Sequence, residues 1–287
     1  MAKLSGESKV ILIGASGYIG SHLLKKLPNK NIRFATSSSH KEGLKKFRLD
    51  SQKDLANLEL NPRDFLIITA TSWSPEYKEI SLDKSREINI DGTKNLIMKA
   101  LDKECRIIYF SSDTVYGNLN KICVEESLCK PIGDYAIMKL EIENYFKKEK
   151  NFKSIRLSYV YSKKDKFSQY LLNCSQQNKI AEIYHPFYRS AICIDDVING
   201  IFSLINKWGE YDMSTINFGG PELLSRVDMA KIFKDFYLDN LEFKVNKPPD
   251  NFFLTRPVKI ELNSDILFDL IEGNCTFLTQ FLQNNFK

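Results

Sequence analysis

Tyr135 and Lys139 are separated by one helical turn in Tyr135-Ala-Ile-Met-Lys139, within a segment whose apolar spacing is helical. Residues four apart share a helix face, so the phenol and the ammonium are neighbours. A free phenol titrates at about 10 and is a poor acid–base near neutrality. A nearby ammonium favours the phenolate and lowers that value. The pair therefore suits proton transfer to or from a carbonyl or alcohol oxygen. Upstream, the apolar run Arg106–Phe110 opens into Ser111-Ser112-Asp113-Thr114-Val115-Tyr116-Gly117. A Ser112 hydroxyl there can hydrogen-bond the same oxygen that Tyr135 protonates. Tyr-xxx-Lys alone recurs by chance on many helices, so the weight falls on what accompanies it.

The first accompaniment is Val10-Ile-Leu-Ile-Gly14-Ala-Ser16-Gly17-Tyr18-Ile19-Gly20, a strand, a glycine turn and a helix start. Gly14 suits the tight turn, Gly17 a close approach of backbone to a pyrophosphate, and Gly20 close helix–strand packing. Ser16 to Gly20 then offer helix-terminal N–H groups to the phosphates. NAD sites place an acid at the end of the second strand, to hold the ribose 2′-hydroxyl. Here that strand runs into Ser37-Ser38-Ser39-His40-Lys41, and the first acid is Glu42. Ser37, Ser38, Ser39 and Lys41 suit a 2′-phosphate, so NADP is favoured and NAD stays possible. An ordinary polar loop is the other reading of the serines.

These groups need a scaffold that gathers strand ends. Short β-rich runs at Lys9–Ile13, Asn31–Thr36, Phe65–Ala70, Arg106–Ser111 and Ser154–Leu157 alternate with helical patterns at Ile19–Leu27, Asp83–Leu101 and Tyr135–Lys148. That alternation predicts an α/β fold, a Rossmann-type doubly wound parallel sheet, with ligands beyond the carboxyl ends of its strands. After about residue 160 the rhythm changes. Helical segments at Phe167–Gln177, Asp195–Lys207 and Ser225–Leu238 are parted by Tyr-, Asn- and Pro-bearing loops, among them Lys247–Asp250. The expected organisation is a dinucleotide-binding domain over 1–160, with return segments from about 186–218, and a smaller substrate-binding lobe over 161–287.

Bulk properties narrow the class. The 287 residues are 43% hydrophobic and 27% charged, with a net charge of +5. That surplus favours an anionic ligand but does not describe a nucleic-acid surface. No apolar run approaches the roughly 20 residues that span a bilayer. The segment Met1–Lys9 is too short and polar for a signal peptide. The six cysteines are scattered, with no metal-ligand spacing, which suits reduced thiols in the cytoplasm and no bound metal.

Together these motifs make the chain resemble the extended short-chain dehydrogenase/reductase superfamily, whose members mostly act on nucleotide sugars. Asn89-Ile-Asp-Gly92-Thr93-Lys-Asn95-Leu is similar to that family's helix beside the catalytic strand, and Pro131-Ile-Gly-Asp-Tyr135 to its approach to the catalytic helix. The resemblance implies a catalytic set of Ser112, Tyr135 and Lys139, with Lys139 also holding the nicotinamide ribose. It further implies that Asp50, Ala70, Thr71 and Asn89 lie against the cofactor, although Asp50 reads equally well as an exposed loop acid. Arg189-Ser-Ala-Ile-Cys-Ile-Asp195 and Thr255-Arg256-Pro257 are similar to segments that present arginines to a sugar-nucleotide diphosphate. The Arg-Pro segment is common in the dTDP-4-dehydrorhamnose reductase branch. A surface ion pair is the plainer use of either arginine.

Asp113 and Thr114 stand where related 4,6-dehydratases carry Asp-Glu, so the missing Glu argues against dehydration. The turn lacks the cysteine of the GDP-fucose synthase type, and 4-epimerases tend to be longer. The favoured activity is thus reduction of a 4-keto-6-deoxy sugar nucleotide. An NAD-dependent sugar-nucleotide epimerase is the alternative, and a cofactor-binding regulatory subunit the non-enzymatic one. With Arg189 and Arg256, Asp113, Thr114 and Tyr159 complete the expected substrate set. Tyr159 and Ser162 depart from the family's usual Asn and Gly, which bears on the sugar. A homodimer built on the helices at Asp83–Leu101 and Tyr135–Lys148 is implied by the resemblance only.

Overall fold

In the computed structural model the described residues are 9–72 and 81–286. The reading of the leading polar segment lies almost wholly outside them. In chain order the elements begin with β1 (Val10–Ile13), α1 (Tyr18–Lys26), β2 (Ile32–Ser37), β3 (Lys45–Lys46), α2 (Gln52–Ala56) and β4 (Phe65–Ile68). Next come α3 (Leu82–Arg86), a π-helical segment Glu87–Gly92, α4 (Thr93–Asp102), β5 (Arg106–Ser112), a 3₁₀ turn Asp113–Tyr116, α5 (Asp134–Phe146) and β6 (Phe152–Leu157). Then follow β7 (Val160–Tyr161), α6 (Lys166–Gln176), β8 (Ala181–Tyr184), β9 (Tyr188–Cys193), α7 (Ile194–Asn206), β10 (Thr215–Phe218) and β11 (Glu222–Ser225). The chain closes with α8 (Arg226–Phe236), β12 (Phe243–Asn246), β13 (Lys259–Ile260), α9 (Asp265–Leu270) and α10 (Leu278–Asn285).

The seven-stranded sheet has the order β10-β6-β5-β4-β1-β2-β3. Its pairs β1–β2, β1–β4, β4–β5 and β2–β3 are parallel. Every residue of β1 and β4 is buried, as strands covered on both faces must be. Each fully buried Ile or Leu contributes about 1.5–3 kcal/mol. The register Ile11↔Leu66 and Ile67↔Ile108 keeps those runs side by side. Around them Leu96, Ile97, Ile107, Met138, Ile142 and Phe146 close one core.

The chain forms two compact units. One comprises Met1–Ser111, Tyr135–Ile155 and Ile201–Ile216; the other comprises Ser112–Asp134, Arg156–Gly200 and Asn217–Lys287. Set beside an expected boundary at 160 with a return at 186–218, the return is narrower, and Ser112–Asp134 groups with the second unit. Physically, the segment after β5 leaves the sheet and finds its partners among residues after 155. Thus Tyr116 Oη bonds Asn217 Oδ1 at 2.7 Å, and Arg156 Nη1 donates to Tyr116 Oη at 2.8 Å.

The second unit has its own four-stranded sheet, in which β11 and β13 flank β9 and β7 also pairs with β9. The segment before α8 is strand β11, antiparallel to β9. Ser225 caps α8: its Oγ accepts from the Asp228 amide at 3.1 Å, while the Asp228 carboxylate accepts from the Ser225 amide at 2.9 Å. No helix among the described residues is long and apolar enough to cross a membrane.

Candidate active site

In the first unit the glycine turn forms as expected. Gly14 adopts φ +91°, and a Cβ on Gly20 would stand 2.2 Å from the Gly14 carbonyl oxygen, so only glycine lets α1 pack this closely. Gly17 occupies the N-cap of α1, so no cap side chain accepts from the first helical N–H groups. Those donors and the positive helix end have the chemistry to receive a pyrophosphate. At the end of β2, Thr36 Oγ1 accepts from the Gly14 amide at 3.3 Å, and Ser37 is buried. Ser38, Ser39 and Lys41 follow on the exposed loop, free of any acid before Glu42.

Asp50 is not a loose loop acid. Arg48 donates to both of its oxygens, at 3.0 and 2.7 Å, and Lys84 Nζ lies 2.9 Å away. The Arg48 bonds, then Lys84, hold the Asp50 carboxyl well below the usual carboxylate range. Asn89 accepts from Thr71 Oγ1 at 3.3 Å and the Ser72 amide at 2.8 Å. Its Nδ2 donates to the Ser72 and Ser85 carbonyls at 3.0 and 2.8 Å. Asn89 therefore sets the path of the Ala70–Ser72 segment, and it sits in the π-helical segment, a rare geometry often found at functional positions.

On α5, Lys139 is buried, and its Nζ donates to the Phe110 carbonyl at 2.7 Å. The ammonium is 4.6 Å from the Tyr109 ring centroid and 5.8 Å from that of Tyr135. Burial lowers the Lys139 pKa to about 8, against the opposing pull of Glu143. A lysine so placed is charged near neutrality and close to losing that charge.

In the second unit Ser112 precedes the 3₁₀ turn. Its Oγ accepts from Thr114 Oγ1 at 2.9 Å and from the Thr114 amide at 3.3 Å, and donates to Asp113 Oδ1 at 3.3 Å. Asp113 is buried, accepts from Ser158 Oγ at 2.8 Å, and lies 3.6 Å from Arg189 Nε. Burial pushes its carboxyl up even though Arg189 and the serines pull it down. Asp113 thus orients the Ser112 hydroxyl. Ser158, which sequence reading passed over, orients Asp113 in turn.

Arg189 is also buried, and donates to the Tyr188 and Pro257 carbonyls at 2.6 and 2.8 Å. Strand β13 runs beside β9 with Ile260 against Arg189, so the two arginine segments meet. Arg256 rests on Phe252 with 4.8 Å from its guanidinium carbon to the ring centroid. Tyr159 bonds Asp165 through its hydroxyl and carries Arg226 on its face, 3.5 Å from the centroid. Arg226 gave no motif in the sequence. Its partners Tyr159, Phe167 and Phe187 come from separate segments.

The sequence matches the family described as RmlD substrate binding domain over residues 8–257. Over 264 residues it is 30% identical to an ADP-L-glycero-D-manno-heptose-6-epimerase of Brachyspira hyodysenteriae, covering 79% of this chain and 81% of that one. A hypothetical dTDP-4-dehydrorhamnose reductase from Sulfolobus tokodaii superposes with a TM-score of 0.79 at 22% identity, over 95% of this chain and 98% of that one. A UDP-glucose-4-epimerase from Stenotrophomonas maltophila, solved with bound NAD and formylated UDP-arabinopyranose, gives 0.79 at 14% identity, over 97% of each chain. At these identities the two structures speak for the shared fold.

Proposed function

The chain belongs to the RmlD substrate binding domain family, and on that premise we propose that it reduces the 4-keto group of a 6-deoxy sugar nucleotide with NADPH. The observation that carries the reading is Lys139, buried, bonded to the Phe110 carbonyl, and one helical turn from Tyr135. Bound at the glycine turn, the nicotinamide cofactor supplies the hydride for the carbonyl carbon. Tyr135 donates its hydroxyl proton to the carbonyl oxygen, and Ser112 hydrogen-bonds that oxygen. The phenolate left on Tyr135 is stabilised by the Lys139 ammonium. NADPH is favoured by the acid-free end of β2 and by Ser38, Ser39 and Lys41. Arg189 and Arg256 are the proposed diphosphate side of the site, Arg189 chiefly as the tie that holds the Arg-Pro segment. Exposed Met98, Ile137 and Tyr145 on α4 and α5 support a homodimer through those helices.

The deciding measurement is oxidation of NADPH, and separately NADH, by the purified protein with dTDP-, UDP-, GDP-, CDP- and ADP-linked 4-keto-6-deoxy sugars. Turnover with one of them, faster with NADPH, is the expected result; no oxidation with any would overturn the reading. The heptose epimerase relative favours a second reading, epimerisation with retained cofactor. It predicts NAD(H) that survives dialysis and no net consumption of reduced cofactor.

A further inference from the structure

Arg226 has an unusual setting. Its guanidinium carbon is 3.5 Å from the Tyr159 ring centroid, 4.7 Å from that of Phe167 and 5.9 Å from that of Phe187. Its polar contacts are the Tyr159 hydroxyl and, at 3.5 Å, the Met229 sulfur. Among the described residues no carboxylate lies within ion-pair distance of it. Arg189 shares the Phe187 ring, 4.4 Å from its centroid, so two guanidiniums use one ring.

The local acids are already engaged. Asp113 is bonded to Ser158 and Ser112 and faces Arg189. Asp165 accepts from the Tyr159 hydroxyl and from the amides of Ser162, Phe167 and Ser168. Arg189 has spent donors on two backbone carbonyls, whereas the Arg226 fork faces rings. Rings hold a guanidinium in place without neutralising it. Asp113 answers the charge of Arg189, whereas Arg226 meets the repulsion of Arg189 with no carboxylate within ion-pair distance among the described residues, and the N-terminal end of α8 adds to it.

We propose that Arg226, presented on the shelf of Tyr159, Phe167 and Phe187, is a further binding contact that receives the diphosphate of the substrate. The assignment rests on the nucleotide-sugar reading and adds to it a residue whose donors are available. It also gives the departure at Tyr159 a physical reason, because an asparagine there offers no ring to carry Arg226. The planar fork can meet two phosphate oxygens at once, which a lysine cannot.

The test is calorimetric titration of the intact protein with UDP, ADP, dTDP, GDP and CDP, alongside NADPH binding and thermal melting. Arg226→Gln should weaken the diphosphate that binds wild type best by about 10- to 100-fold, with NADPH affinity and melting temperature held. Arg226→Lys should recover only part of that loss. Tyr159→Asn should weaken the same ligand, and the double variant should be no worse than the poorer single one, since the two side chains act as a unit. Binding by Arg226→Gln within about twofold of wild type would overturn the assignment and leave the nucleotide-sugar reading standing. Joint loss of NADPH binding and heat stability in both Arg226 variants would also overturn it, as the mark of a structural post. If wild type bound none of the five diphosphates, the nucleotide-sugar reading would fall and this assignment with it.

Discussion

Replacing Tyr135 by Phe lowers turnover by about 10²- to 10⁴-fold, the range expected when a positioned proton donor is removed. The substitution takes away one hydroxyl and keeps the ring over which Lys139 sits, 5.8 Å from its centroid. Cofactor affinity and melting temperature should therefore hold, and the loss should fall on kcat. Stopped-flow hydride transfer under single-turnover conditions separates chemistry from binding. A variant keeping a tenth or more of the wild-type rate would remove Tyr135 from the mechanism. The pH dependence follows from Lys139, whose pKa burial brings down to about 8. Below that value the ammonium is present and stabilises the phenolate; above it the charge is lost. The rate should accordingly fall as pH rises through about 8, and Lys139→Met should remove that limb along with most of the activity.

The second large effect is on stability. Gly117 has φ +68° and ψ −150°, a region that side-chain-bearing residues essentially do not enter. A Cβ at this position would stand 1.9 Å from the Lys130 carbonyl oxygen. Gly117→Ala combines backbone strain of about 1–3 kcal/mol with an overpacking cost of about 1–3 kcal/mol. A lowering of the melting temperature by at least about 4–12 °C is expected. Gly273→Ala is the milder comparison, since Gly273 has φ +71° with nothing within 4 Å of its would-be Cβ. A melting temperature for Gly117→Ala within about 1 °C of wild type would show that neither the backbone conformation nor the approach to Lys130 constrains this position.

The strands of the large sheet were readable because β1, β4 and most of β5 are apolar on both faces, and that pattern needs no distant information. The pairing of Tyr135 with Lys139 was readable for the same reason, being local to one helix. The stretch Asp83–Leu101 reads as one helix, yet it contains a π-helical segment. The polar residue at its centre, Asn89, is bound to Thr71 and Ser72, and no local pattern announces that. The sheet around β9 was missed because its strands are short and mixed in polarity. Their partners are far away in sequence, as in Leu223↔Ser190 and Ile260↔Arg189. Arg189 shows the limit of residue type as a guide. An arginine beside a strand suggests an anion, but two of its donor groups are bonded to carbonyls. Arg226 follows the N-cap Ser225 and gives no signal of its own, because all three rings that hold it lie outside α8.

The guanidiniums of Arg226 and Arg256 rest against Tyr159, Phe167 and Phe252 rather than against carboxylates. An ion-paired arginine loosens when acid protonates its partner, whereas an aromatic face has no proton to gain. These two cations therefore keep their places through mild acidification, where arginines held only by carboxylates would loosen.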